Sequence, residues 1–136
     1  RAEGEWERDE MRKKEEVIPL VQRAKHDKFF TGPGIPRGKL ANARGSMRVP
    51  SSAEVFALYD DTLWGGSREG ILVASTGVFA KALWEEPHFW KWNDISSIEC
   101  TADALHVNGE SVNMTMGESG KPFAAEMTKI LRRLVK

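Results

Sequence analysis

The chain has 136 residues, within the range of one domain, and is 40% hydrophobic, enough for a single core. Twenty Lys/Arg balance twenty Asp/Glu, so no global field draws the protein to nucleic acid or to a membrane surface. One cysteine, Cys100, excludes an intrachain disulfide and a paired-cysteine metal site, and no apolar run approaches the ~20 residues of a membrane helix.

The charge is unevenly placed. Residues 1–50 carry twelve Lys/Arg and eight Asp/Glu, a net +4; residues 51–136 carry eight and twelve, a net −4. A basic arm therefore precedes an acidic body. The single thiol and the absence of a signal-peptide pattern fit a reducing, cytoplasmic setting. The first residue is Arg1, so the chain is expected to be part of a longer protein or a processed one.

From residue 5 to about 30 the chain is charged and helix-prone. Trp6, Met11, Val17, Ile18, Val21 and Ala24 form a loose apolar stripe. Pro19 has no N–H to donate, so one helix is expected before it and a short one from it, with Pro19 in the first turn. Phe29 to Ser52, "FFTGPGIPRGKLANARGSMRVPSS", is rich in Gly, Pro, Ser and Arg and reads as a long connector with little structure of its own. The expected division is a helical segment and connector over 1–52 and a β domain over 53–136.

Short β segments begin at Glu54. "EVFALYD" (54–60), "GILVAST" (70–76) and "GVFAKAL" (77–83) are apolar, the last two divided by a Thr76-Gly77 turn. "HFWKWND" (88–94) alternates, with Trp90 and Trp92 on one face. "SSIECTA" (96–102) follows. "ALHVNGESVNMTM" (104–116) is a hairpin around Asn108-Gly109, a type I′ turn that sets Leu105 opposite Val112. Ser119 to Lys136 is an amphipathic helix with Ser119 as N-cap and Phe123, Met127, Ile130, Leu131 and Leu134 on one face. Seven antiparallel strands and a closing C-terminal helix predict a mainly β fold with flanking helices, a bent sheet or partly open barrel.

Tyr59-Asp60-Asp61-Thr62, then Gly65-Gly66, Glu69-Gly70-Ile71-Leu72-Val73, Thr76-Gly77-Val78, Lys81 and Trp92-Asn93-Asp94-Ile95 resemble the bacterial pleckstrin-homology-like (PH-like) domains. The resemblance covers about residues 54–135. It implies the seven-stranded PH-like fold and a non-catalytic binding or assembly role within a larger bacterial protein. It departs from lipid-binding relatives in one respect. The loop between the first two strands, "DDTLWGGSRE", sets Asp60, Asp61 and Glu69 against Arg68 alone, which disfavours phosphoinositide capture.

Few residue constellations point to chemistry. Asp60, Asp61 and Glu69 have the types needed for acid–base work or a cation, yet lack EF-hand spacing and are explained as turn formers. His26, His88 and His106 fall on separate elements without zinc spacing. Cys100 alternates with Ile98 and reads as a buried structural thiol. No cofactor or metal is expected.

Trp64 lies in a glycine-bearing loop, and Trp84 and Phe89 flank the turn "EEPH". A loop tryptophan either folds back on the core, the default for Trp64, or belongs to a contact surface. On the second reading Trp64, Arg68, Trp84 and Phe89 bind a protein partner or another copy of the chain. One alternative is nucleic-acid or anionic-membrane binding through Arg37, Lys39, Arg44 and Arg48. Another is a small enzyme using Asp61 or Glu69.

Overall fold

The computed structural model describes residues 11–135. In chain order the elements are α1 (Lys14–Val21), β1 (Phe29–Thr31), α2 (Arg37–Ser46), β2 (Val55–Asp60), β3 (Gly70–Ala74), β4 (Gly77–Lys81), β5 (His88–Lys91), β6 (Ile98–Cys100), β7 (Ala104–Val107), β8 (Glu110–Asn113) and α3 (Lys121–Val135). Strands β1 to β5 form one antiparallel sheet in sequence order, and β6 to β8 form a second. The two sheets do not close into one.

The larger sheet is covered on both faces. Its register aligns Phe30, Leu58, Leu72, Phe79 and Phe89 in one row across all five strands. Most of that row packs under α2, where Ala43 and Met47 join Ile35, Val49 and Ala53 in a core of their own. The neighbouring rows, with Tyr59, Ile71, Val73, Val78 and Trp90, face the main core shared with the small sheet, α1 and α3. Burial on both faces explains why β2, β3 and β4 are apolar runs without alternation.

Two glycines set the strand crossings. Gly70 (φ 145°) and Gly77 (φ 157°) approach the Tyr59 and Trp90 carbonyl oxygens so closely that any Cβ would collide with them.

The hairpin has its expected register. Leu105 pairs with Val112, and Asn108 (φ 51°) and Gly109 (φ 85°) make the turn. The Asn108 side chain also joins the turn to the preceding segment. Its Oδ1 accepts from the N–H groups of Ser96 (2.8 Å) and Ser97 (3.2 Å), and its Nδ2 donates to the Asp94 carbonyl (2.7 Å).

The last helix buries Phe123, Met127, Ile130, Leu131 and Leu134, the face read from the sequence. Ser119 does not cap it; it lies in a 3-10 turn, Glu118–Gly120, that leads into the helix. Two α3 side chains serve the outer edge of β6. The Thr128 hydroxyl accepts from the Cys100 N–H at 2.9 Å, and Arg132 Nε donates to the Ile98 carbonyl at 2.9 Å. At the helix end, buried Arg12 donates from Nε to the Leu134 carbonyl (2.6 Å) and lies over the Trp92 ring. A cation there complements the negative end of the helix dipole.

Several expectations change. The segment 29–52 is not a bare connector: it holds β1, a 3-10 turn (Gly32–Gly34) and α2, so eight strands rather than seven occur among the described residues. Pro19 does not begin a second helix but sits within α1. The carbonyl left without a donor belongs to Glu15, which is exposed to water. The predicted helical residues 5–10, with Trp6, lie outside the described residues. Strand β5 stops at Lys91, and Trp92–Asp94 forms a 3-10 turn; Trp90 and Trp92 are nonetheless both buried.

Candidate functional site at the loop end

Because β2 to β5 run antiparallel in order, the β2–β3 loop (61–69) and the β4–β5 loop (82–87) leave the same end of the large sheet. The first loop is tied down from two sides. Asp60 is buried at its root, where it accepts from the Thr62 N–H (2.9 Å), the Thr62 hydroxyl (2.5 Å), the Ser67 N–H (3.2 Å) and Lys39 Nζ (2.9 Å). Helix α2 supplies the other bonds. Lys39 Nζ also donates to the Gly65 carbonyl (2.5 Å), Asn42 Nδ2 to Gly66 (2.9 Å) and the Ser46 hydroxyl to Arg68 (2.7 Å). Burial opposes ionisation of Asp60, but the donors Thr62, Lys39 and Ser67 outweigh it and hold its carboxyl below the usual range.

Asp61 is engaged too. It accepts from the Tyr59 hydroxyl (2.9 Å) and from the Thr115 N–H (2.9 Å), joining the loop to the chain beyond β8. Burial, then the Asp61 charge, pushes the Tyr59 hydroxyl pKa up. Glu69 lies 3.9 Å from Lys81, and both side chains are mostly covered. These carboxylates hold the loop backbone and neighbouring side chains in place.

What the loops present outward is apolar. Trp64 is 91% exposed and Leu63 81%; Trp84 is 92% exposed and Leu83 58%. Trp64 therefore does not fold back on the core, because the bonds from Lys39 and Asn42 fix the Gly65-Gly66 backbone and turn the preceding side chains to solvent. Trp84 has φ 63°, a left-handed conformation costly for a bulky residue. A groove of about 610 Å³ is lined by Thr62 and Leu63 of the first loop, Leu83 and Glu85 of the second, and Thr115. Phe89 ends the outer row of the sheet, 40% exposed and stacked on Phe79 at 4.4 Å. Arg68 is exposed on the first loop.

The structure thus sets Trp64 and Trp84 at one end of the sheet, with Phe89 on the adjoining outer face rather than in the groove. Leu63 and Leu83, which line the groove, were missed by reading the sequence. A signal was present: "LWGG" and "LWEE" place the same Leu-Trp pair immediately before two different turns.

The other candidate residues are dispersed. Lys39 serves the loop, Arg44 donates to the carbonyls of Pro50 (3.1 Å) and Ala53 (2.8 Å), and Arg48 pairs with Glu86 at 2.9 Å; Arg37 is exposed. His26 packs against Tyr59 and Phe123, His88 stacks on Trp90, and His106 meets Ser111. Cys100 is buried, its thiol pushed up to about 12 by burial and then by the Glu99 charge. Among the described residues no group of three or more His, Cys, Asp or Glu is placed to hold a metal ion, and no helix is long and apolar enough to cross a membrane. The chain matches no protein-family model, no curated protein and no solved structure.

Proposed function

We propose that this chain is a non-catalytic PH-like interaction module of a larger bacterial protein, and that its loop end binds a protein partner or a second copy of itself. The order of β2 to β5, then β6 to β8, then a packed C-terminal helix supports the PH-like reading. One observation carries the binding surface: two adjacent loops, the first anchored through its backbone to α2, each expose a Leu-Trp pair. Large apolar side chains held outward by hydrogen-bonded loops lose little conformational freedom on binding, and tryptophan is enriched among residues that dominate interface energy.

The test is the double variant Trp64→Ala/Trp84→Ala, read by partner co-precipitation from the source cell and by oligomer mass in light scattering. Loss of the partner or of the oligomer is expected, with folding stability within about 0.5 kcal/mol of the parent because both rings are exposed. Unchanged association by both readouts would remove the loop end from the binding function.

A further inference from the structure

The groove between the two loops carries information about what it binds, and this inference rests on the reading just given. The β portion of the chain is strongly acidic. Residues 51–120 contain three Lys/Arg against eleven Asp/Glu, a net −8, because the cations of the C-terminal half lie mainly on α3. The same bias reaches the groove, whose lining includes Asp61, Glu69 and Glu85 against Lys28. Lys28 is already committed, donating to the Thr62 carbonyl at 3.2 Å. Lys81 offsets Glu69 from 3.9 Å. Asp61 is held by neutral donors, the Tyr59 hydroxyl and the Thr115 N–H. Glu85 is exposed on the second loop.

We infer that the groove between the Leu63-Trp64 and Leu83-Trp84 loops takes a basic peptide segment of another protein, one in which lysine or arginine alternates with large aliphatic or aromatic residues. Leu63 and Leu83 both line the groove and offer apolar surface for the anchoring side chains. The carboxylates give the flanking cations their place and repel an acidic segment, since like charges brought together at an interface cost affinity. Trp64 and Trp84 follow the two lining leucines in sequence and are exposed, so a ring can pack on an aliphatic stem or take a guanidinium on its face. Neither an acidic peptide nor an anionic headgroup meets this combination of charge and shape.

The experiment selects a displayed library of random short peptides on the folded protein, with the Leu63→Ser/Leu83→Ser variant as the counter-target. Selected sequences are then made as free peptides and titrated by fluorescence anisotropy. Enrichment of Lys/Arg interleaved with Leu, Ile, Phe or Trp is expected. The free peptides should bind the parent at least tenfold more tightly than the leucine variant, and Glu85→Lys should weaken them several-fold, more so at low salt. Because all three positions are exposed, each variant should keep the parent's circular dichroism and melting temperature.

Selection of acidic or uncharged apolar peptides that still need the leucines would overturn the basic-peptide inference while leaving the docking surface in place. Peptides indifferent to Leu63, Leu83 and both tryptophans would defeat the two readings together. A dimer in sedimentation that dissociates in the leucine variant would overturn the inference in favour of a second copy. Binding of the parent, but not the variant, to phosphatidylglycerol vesicles would overturn it in favour of a lipid surface.

Discussion

Asp60 shows how much a single carboxylate can organise. It is buried, yet it remains ionised because four donors converge on it, three of them from the loop it begins and one from α2. Its pKa is lowered in the folded state, so its contribution to stability is fully present above the unfolded value, near 3.9, and is lost as pH falls through the lower folded value. Asp60→Asn is expected to cost about 2–3 kcal/mol at neutral pH, because Lys39 loses its counter-charge, and to flatten the decline of stability below about pH 4. Denaturant titrations of both proteins across that range measure it; parallel pH profiles would show that Asp60 does not hold the loop. The sequence revealed half of this. An aspartate followed by Thr, Gly and Gly reads as a turn residue from local chemistry alone. Its partner Lys39 lies 21 positions upstream and Lys39's second acceptor, Gly65, 26 positions downstream of it, distances at which no local rule operates.

At the scale of elements, α2 is the instructive case. Its sequence, "RGKLANARGS", has two glycines and follows a proline, so intrinsic propensity places it among connectors. Packing overrides propensity: Ala43 and Met47 are buried against Leu58, Leu72 and Phe79. The demand for such a cover was legible in the strands it covers, since β2, β3 and β4 are apolar at successive positions where a sheet with one wet face would alternate. Which segment would answer that demand was not legible, because the covering residues are scattered over 35–53 without a clear period. Met47→Ala should therefore destabilise the fold by about 2–5 kcal/mol, a core-sized effect from a residue in an apparent linker. Urea unfolding is the measurement, and a change under about 0.5 kcal/mol would mean that α2 does not seal the sheet. The hairpin and α3, by contrast, were readable because their signals are local: an Asn-Gly turn fixes register, and a 3.6-residue period fixes a face.

At the scale of the whole molecule, rigidity and exposure are separated. Two apolar cores, one on each face of the large sheet, hold a framework whose far end presents the Leu-Trp loops. Trp64 and Trp84 could be located by sequence, but the direction of Trp64 depended on bonds from α2, which only the folded chain brings to its loop. Arg12 closes the framework from the other side by joining the approach to α1 to the last turn of α3.

The contacts that Thr128 and Arg132 make with β6 bear on how the protein is born. A strand edge with vacant N–H and C=O groups is a template for any other strand that reaches it. The groups of Cys100 and Ile98 escape that fate only once α3 has docked, and α3 follows β6 in the chain by some twenty residues. Until then β6 is adhesive. Chains cut before residue 121 are thus expected to appear as sheet-rich aggregates rather than as unstable monomers. Pelleting and thioflavin fluorescence of such truncations would show it, and a monomeric, protease-sensitive fragment would refute it. The terminal helix then acts as a built-in chaperone for the strand it covers.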